Sequence, residues 1–146
     1  MTTKIYPYLT FKNAKKAMKY YAQDFGAEIT FHQPLNAQQA ENLGMPTDSE
    51  HLQQTTLRGE FTIAGQKIIC ADATMGTPQT SNLISIMLNF ADDVEAARQL
   101  FNRLAKSDNQ RVTVPFGEWV LNSQMGQIVD KYGITWLITA GVNTQN

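Results

Sequence analysis

The sequence contains few of the residues that build metal, disulfide and nucleotide sites. Its 146 residues include one cysteine, two histidines and nine glycines. The single Cys70 excludes an internal disulfide and is typical of a reducing compartment such as the cytoplasm. Gly65 and Gly76 stand alone, so the sequence has no glycine-rich turn of the kind that binds nucleotide phosphates. We therefore expect neither a disulfide framework nor a nucleotide-binding loop.

Strong net charge and long apolar runs are also missing. Twelve basic residues against thirteen acidic ones give a formal net charge of −1, so no overall field attracts nucleic acid or an anionic membrane. No apolar run approaches the roughly 20 residues that span a bilayer, and the N-terminus lacks the apolar core of a signal peptide. With 42% hydrophobic residues, the composition predicts one cytoplasmic domain over residues 1–146, without nucleic-acid or membrane partners.

A strand followed by an amphipathic helix occurs twice along the chain. Large apolar and aromatic residues favour a strand over Ile5–Phe11, after which Asn13 is placed to cap a helix. The segment Asn82–Ala105 repeats this pattern, with Asp92 and Glu95 spaced as a capping box at the start of its helix. The repeat indicates that the chain consists of two related halves.

The remaining segments add further strands to each half. Gln33–Gln53 is polar, and we predict a long excursion in which only Ala37–Leu43 is suited to a short helix. In the first half, further strands are predicted at Glu28–Phe31, Thr55–Ile63 and Lys67–Ala71, the last two joined as a hairpin through Ala64–Gln66. In the second half they are predicted at Arg111–Phe116, Trp119–Val129 and Ile134–Ala140. Each half therefore has the order strand, helix and three strands, which predicts modules at residues 1–76 and 77–146.

Several short motifs occur in a fixed order along nearly the whole chain. They are Pro7–Phe11, Ala17–Tyr21, Phe25–Gly26, Glu60–Ile63, Gly65–Gln66, Asp72–Ala73, Gly126, Asp130–Gly133 and Trp136. This order resembles the vicinal oxygen chelate superfamily of glyoxalases, extradiol dioxygenases and bleomycin-resistance proteins, and within it the PhnB-like proteins. The resemblance implies an α+β fold of two βαβββ modules that form one cupped cavity, with helices on the convex faces. It also implies a homodimer.

The alternation of side chains along a strand assigns residues to the two faces of this fold. If Leu9 and Phe11 meet the helix, then Tyr6, Tyr8 and Thr10 lie on the cavity side. By the same count Ser85, Met87 and Asn89 lie on that side, and Thr56, Arg58, Glu60 and Thr62 share an exposed or cavity-facing side. A slip of one residue would reverse any of these assignments.

The resemblance also locates the positions that hold metal ligands, mostly His and Glu, in the metal enzymes of the superfamily. In this chain they fall at Tyr6, Ile69 or Cys70, Ser85 and Leu137. None is a histidine or a carboxylate, so we predict no metal and no other cofactor. Some PhnB-like sequences carry a name that claims methyl transfer, but S-adenosylmethionine is usually held by a glycine-rich turn, which is absent from this sequence.

Two hypotheses about function follow. The first is a metal-free protein that binds a small molecule in the cavity between modules, lined by Tyr6, Tyr8, Ser85, Met87 and Trp119. The second is a glyoxalase- or dioxygenase-like enzyme acting on a small carbonyl or aromatic substrate. It would use either a metal held by misaligned ligands, or Glu60 as base with Arg58 as anion clamp. For Arg58 and Glu60 an ordinary exposed strand face is the alternative.

The one cysteine and the two histidines are the remaining candidates for chemistry in this sequence. Cys70 lies in an apolar stretch without a neighbouring base, which predicts a buried structural thiol. His32 and His51 flank the polar excursion, and residues in that position are usually exposed to solvent. None of the three is therefore predicted to carry chemistry.

Overall fold

The structure is a computed structural model that describes residues 2–142. The chain divides into two compact units, Met1–Pro78 and Gln79–Asn146, called unit 1 and unit 2 below. Each unit contains one four-stranded sheet, and the strands occur in the same order in both sheets. The predicted α+β fold is confirmed, because each unit combines a four-stranded sheet with at least one α-helix.

Over its described residues, 2–78, unit 1 contains four strands and three helices. These are β1 (Tyr8–Phe11), α1 (Ala14–Phe25), β2 (Glu28–Gln33), α2 (Ala37–Asn42), α3 (Ser49–Leu52), β3 (Arg58–Ile63) and β4 (Gln66–Asp72). The sheet has the order β1-β4-β3-β2, in which β1 pairs with β4 in parallel and the other pairs are antiparallel. β1 is therefore an edge strand of this sheet.

The helix α1 covers one face of the sheet, and its aromatic side chains pack against the strands. The predicted cap Asn13 is confirmed, because its side chain accepts a hydrogen bond from the backbone N–H of Lys16. Tyr21 of α1 is fully buried, and its ring stacks on that of Phe61 at a centroid distance of 5.1 Å and an angle of 12°. The side of β3 that carries Phe61 is thus the core side.

The polar excursion contains two short helices. A helix is predicted at Ala37–Leu43, and α2 ends one residue earlier. Asn36 and Gln39 form a reciprocal capping box, and Ala40 is fully buried. The helix α3 was missed because it has only four residues, which show no hydrophobic period. The excursion is therefore folded over much of its length.

Unit 2 repeats the arrangement, with one α-helix between residues 79 and 142. Its elements are β5 (Ser85–Asn89), α4 (Val94–Ala105), β6 (Arg111–Glu118), a 3-10 turn (Val120–Asn122), β7 (Gln124–Val129) and β8 (Thr135–Ala140). The sheet has the order β5-β8-β7-β6, with β5 parallel to β8. Within residues 2–142 the longest helices have 12 residues, and no helix has both the length and the apolar character needed to cross a membrane.

Two details of unit 2 differ from the sequence prediction. The helix α4 is capped by Asp93, whose carboxylate accepts from the N–H of Ala96, so the capping box assigned to Asp92 was wrong. The predicted strand Trp119–Val129 is interrupted, because Leu121 and Asn122 have positive φ angles of 53° and 63°. Such angles bend the chain into a turn that cannot continue a strand ladder.

A buried carboxylate holds the turn between β7 and β8. One Asp130 oxygen accepts from the N–H groups of Tyr132 and Ile134, at 2.8 and 3.0 Å. The other accepts from the indole N–H of Trp136 at 2.9 Å. Trp136 is fully buried, so this bond satisfies a donor that water does not reach.

Two glycines of the hairpin β6–β7 provide a matched test of packing. A Cβ on Gly126 would lie 2.5 Å from Cε2 of Phe101 and 3.1 Å from the backbone of Phe116, whereas a Cβ on Gly117 would meet nothing within 4 Å. We expect Gly126→Ala to lower the free energy of unfolding by about 1–3 kcal/mol through overpacking. Gly117→Ala should change it by less than about 0.5 kcal/mol. Urea denaturation of both variants measures the difference, and equal effects would contradict the assigned packing.

Candidate functional site

The sheet of unit 1 has one face that does not pack against α1. The strand register places Tyr8 beside Ile69, Ile69 beside Glu60, and Glu60 beside Phe31. Directly paired residues point to the same side of a sheet, so these four side chains form one row across all four strands. Phe61, the neighbour of Glu60 along β3, points to α1. We call the side with the Tyr8–Phe31 row the open face.

Large aromatic side chains are exposed on or beside this open face. Tyr8 is 62% exposed, Phe31 is 42% exposed and Tyr6, just before β1, is 40% exposed. Ile69 between them is 9% exposed. The structure therefore brings the predicted Tyr6 and Tyr8 into one unit with an aromatic partner that sequence reasoning missed.

Phe31 was missed because of a β-bulge. Ile29 pairs with Phe61 while Phe31 pairs with Glu60, so Thr30 is an extra residue in β2. Simple alternation would place Ile29 and Phe31 on the same face. The bulge instead separates them, and Phe31 joins Glu60 on the open face. No pattern in the sequence marks Thr30 as the bulged residue.

Arg58 and Glu60, the predicted catalytic pair, are in contact and share a third charge. The Glu60 carboxylate accepts from Nε of Arg58 at 2.9 Å and lies 3.0 Å from Nζ of Lys67. The Glu60 side chain is 13% exposed, whereas the two cations are 53% and 44% exposed. Lys67 was missed, although the two-residue hairpin turn at Ala64-Gly65 fixes its place opposite β3.

This charge cluster changes the acidity of Glu60. The hydrogen bond from Lys67 lowers the pKa of Glu60 below its ordinary value of 4.5, against an opposing effect of partial burial, and Arg58 adds to the lowering. A carboxylate with a lowered pKa and two bound cations is a weak base near neutral pH. The arrangement is better suited to holding Arg58 and Lys67 in place than to removing a proton from a substrate.

On the other side of the sheet, Thr56 belongs to a buried network rather than to the exposed row. Thr56 is 2% exposed, so its predicted place on the exposed side of the strand was wrong. It precedes β3, and its N–H donates to Asp72 at 3.0 Å. Its hydroxyl shares a 3.0 Å hydrogen bond with Nε2 of His32. His32 is half-buried by this contact and is not the solvent-exposed residue that was expected.

Cys70 is confirmed as a buried structural thiol. It is fully buried on the α1 side of β4, and its Sγ would lie 2.9 Å from a Cβ built on Gly59. Burial, together with the nearby carboxylate of Asp72, raises the pKa of the thiol to about 12. The thiolate is therefore too rare near neutral pH to act as a nucleophile.

The other predicted ligand-binding residues belong to unit 2. Ser85 is exposed at the start of β5, and Met87 is 45% exposed on the same side of that strand, beside Leu137 of β8. Trp119 is half-buried and leads into the 3-10 turn. Unit 2 thus presents a smaller aromatic surface than the open face of unit 1.

The positions that correspond to metal ligands do not fit a metal ion. Tyr6 and Ser85 offer only hydroxyl groups, and the paired strands place aliphatic side chains at Ile69 and Leu137. In the described part of the chain, no three His, Cys, Asp or Glu side chains lie close enough together to hold a metal. Divalent ions need several nitrogen, oxygen or thiolate ligands. The side chains at these four positions therefore do not supply the ligand set that a metal-dependent reaction needs.

The charge cluster predicts a specific pH dependence of stability. Because the folded-state pKa of Glu60 lies below 4.5, its ion pairs stabilise the fold above that pH, and this contribution is lost as the pH falls through the folded-state value. We expect Glu60→Gln to be less stable than the parent near neutral pH, and this difference to shrink as the pH falls below 4.5. Urea denaturation between about pH 7 and about pH 3 measures this difference.

The matched control for this experiment is Glu95→Gln in α4. Glu95 also pairs with an arginine, Arg98, at 2.8 Å, but its side chain is 63% exposed. Exposed pairs contribute little, so this variant should stay within about 0.5 kcal/mol of the parent at every pH. A pH-independent loss in Glu60→Gln would contradict the role assigned to the ion pairs.

The chain matches proteins of one family over almost its whole length. The family model described as 3-demethylubiquinone-9 3-methyltransferase matches residues 3–139. Protein YjdN of Escherichia coli (strain K12) is 27% identical over 139 residues, which cover 90% of this chain and 91% of YjdN.

Solved structures support the same assignment. The putative 3-demethylubiquinone-9 3-methyltransferase, PhnB protein, from Bacillus cereus has a TM-score of 0.67 at 25% identity, covering 94% of this chain and 99% of that chain. A glyoxylase/bleomycin resistance protein/dioxygenase domain from Frankia sp. EAN1pec has a TM-score of 0.68 at 12% identity, covering 99% and 96%. The second likeness concerns the fold alone. With the matched family model, these similarities show that the chain belongs to the PhnB-like 3-demethylubiquinone-9 3-methyltransferase family, within the glyoxalase and bleomycin-resistance fold.

Proposed function

We propose that this protein binds a small aromatic or amphipathic molecule on the open face of unit 1, without a metal ion. The observation that carries the proposal is the exposure of Tyr6, Tyr8 and Phe31 on or beside one sheet face. Tyr8 and Phe31 stand at opposite edges of the sheet, with Ile69 and Glu60 between them, so aromatic rings border the row on both sides. Exposed aromatic side chains on one face of a sheet are typical of ligand or partner sites. Tyrosine is suited to this use because its ring packs on a ligand while its hydroxyl stays hydrated.

A metal-free enzyme using Glu60 is less well supported. The contact with Arg58 that such an enzyme needs is present. However, the same contact and that with Lys67 lower the pKa of Glu60 and use both of its oxygens. A general base works best when its pKa lies near the working pH. We therefore assign the cluster to ligand binding.

Methyl transfer, the activity in the family description, also lacks support from this chain's own residues. The turns that lead from β1 into α1 and from β5 into α4 contain no glycine. At the start of α1, the N–H of Ala14 already donates to Asp72. A nucleoside cofactor usually needs a glycine-rich turn at such a place.

Binding can be tested with neutral aromatic amides such as benzamide. We expect them to shift the backbone amide resonances of β1, β3 and β4 in ¹H–¹⁵N spectra of the full chain. Tyr8→Ala should weaken this binding about fivefold, the loss expected for one aromatic contact. Chelator should have no effect on affinity.

The control variant is Leu121→Ala, which removes a side chain that is 94% exposed in unit 2. It should bind the amides like the parent. The proposal fails if the amides cause no shifts on the open face, or if chelator abolishes binding.

We further propose a homodimer whose contacts include the edge strands β1 and β5. Neither strand carries a charged side chain, and each lies at the edge of its sheet. Ile5 is 95% exposed and lies four residues before Leu9 of β1. Ile84 is 76% exposed and lies four residues before Leu88, the corresponding leucine of β5. Uncharged edges flanked by exposed apolar residues favour association with another chain.

Size-exclusion chromatography with light scattering tests the dimer. We expect twice the 16.4 kDa of one chain for the parent, and a shift toward the single-chain mass for Ile5→Lys and Ile84→Lys. Leu121→Lys, which places the same charge at another exposed aliphatic position, should leave the mass unchanged. A parent mass of 16.4 kDa would refute the dimer.

We also propose a cytoplasmic location. It rests on Cys70, the only cysteine in the sequence. Proteins of oxidising compartments tend to use cysteines in pairs as disulfides, and a lone buried thiol offers no such use. Fractionation of cells that express the native gene tests this placement.

A further inference from the structure

We infer that the ligand of the open face carries a single negative charge, which Arg58 and Lys67 bind, and that Glu60 sets this preference. The inference rests on the proposed function and adds the chemical class of the ligand. It would give the protein a preference for aromatic carboxylates over both neutral aromatics and doubly charged phosphates.

The geometry leaves donors of the cluster available to a ligand. Arg58 donates to Glu60 through Nε, and in residues 2–142 its guanidinium makes no other hydrogen bond. The two terminal nitrogens of Arg58 therefore still offer the paired donors that match a carboxylate. Lys67 is 44% exposed beyond its contact with Glu60.

The charges of the cluster favour one negative charge on the ligand. Two cations and one carboxylate leave a net charge of +1, which a monoanion neutralises. Glu28 pairs with Thr62 on the same face, but it lies two strands from Lys67 and forms no ion pair with it among the described residues. A dianion would leave one negative charge uncompensated close to Glu60.

The aromatic surface lies next to these cations. Lys67 Nζ is 5.9 Å from the centroid of the Tyr6 ring, and Glu60 shares its row with Tyr8 and Phe31. Arg58 is two residues from Glu60 along β3, so it lies roughly 7 Å from the row. A ring that packs on the row can therefore direct a carboxylate toward Arg58. The salt bridge between Arg98 and Glu95 in α4 has no net charge, and its ring contact is that of Arg98 with Phe116, 5.7 Å from the guanidinium carbon to the ring centroid.

The experiment compares benzoate, benzamide and phenyl phosphate by titration of the full chain in ¹H–¹⁵N spectra. At about pH 8 the phosphate is doubly charged. We expect benzoate to bind about tenfold more tightly than benzamide in low salt, the effect of one charge-assisted contact, and this ratio to shrink in high salt. Benzoate should also bind more tightly than phenyl phosphate.

Three variants assign the effect to the cluster. Arg58→Gln and Lys67→Gln should each bring the benzoate to benzamide ratio toward one, while Arg98→Gln, the exposed control in unit 2, should leave it unchanged. Glu60→Gln raises the net charge of the cluster, so phenyl phosphate should gain at least about threefold relative to benzoate. Because both ligands are measured on the same variant, a general loss of order in the cluster would weaken the binding of both and leave the ratio of their affinities unchanged.

The possible failures are distinguishable. Equal affinities of benzoate and benzamide in the parent, with binding still weakened by Tyr8→Ala, would overturn the charge preference and leave the proposed function standing. The absence of any binding by the three compounds would overturn both. An unchanged phosphate to benzoate ratio in Glu60→Gln would overturn the role of Glu60.

Discussion

The carboxylate of Asp72 connects the parts of unit 1 on which its other features depend. One oxygen accepts from the N–H of Ala14 at the first turn of α1, at 2.7 Å, and the other from the N–H of Thr56 just before β3. Burial raises the pKa of Asp72, and the two N–H groups oppose that effect. The start of the helix is thereby fixed to the end of β4. This fixes which side of the sheet α1 covers and leaves Tyr8 and Glu60 on the uncovered side.

Unit 2 uses the same strand order but a different local support. Its buried carboxylate, Asp130, lies in the turn after β7 and binds Trp136 instead of a helix start. In β5, Ser85 and Met87 stand at the positions that correspond to Tyr6 and Tyr8 of unit 1. A common topology therefore provides two sheets, and the side chains on the uncovered face decide how each is used.

The sequence was sufficient for features that depend on local patterns. The order of the strands and of the two long helices, the cap at Asn13 and the burial of Cys70 all follow from residue type and spacing. Features that depend on pairing between distant strands were not accessible. The bulge at Thr30, which exposes Phe31 beside Glu60, leaves no mark in β2 alone. Lys67 joins Glu60 only because the hairpin turn fixes the register of β4 against β3.

The burial of Cys70 has a practical consequence for work with this protein. Since the only native thiol is fully buried, a cysteine introduced at an exposed position would be the single residue that maleimide dyes or spin labels can modify. Distances between labelled positions can then be measured in the native sequence background, without first replacing Cys70 and disturbing the packing around it.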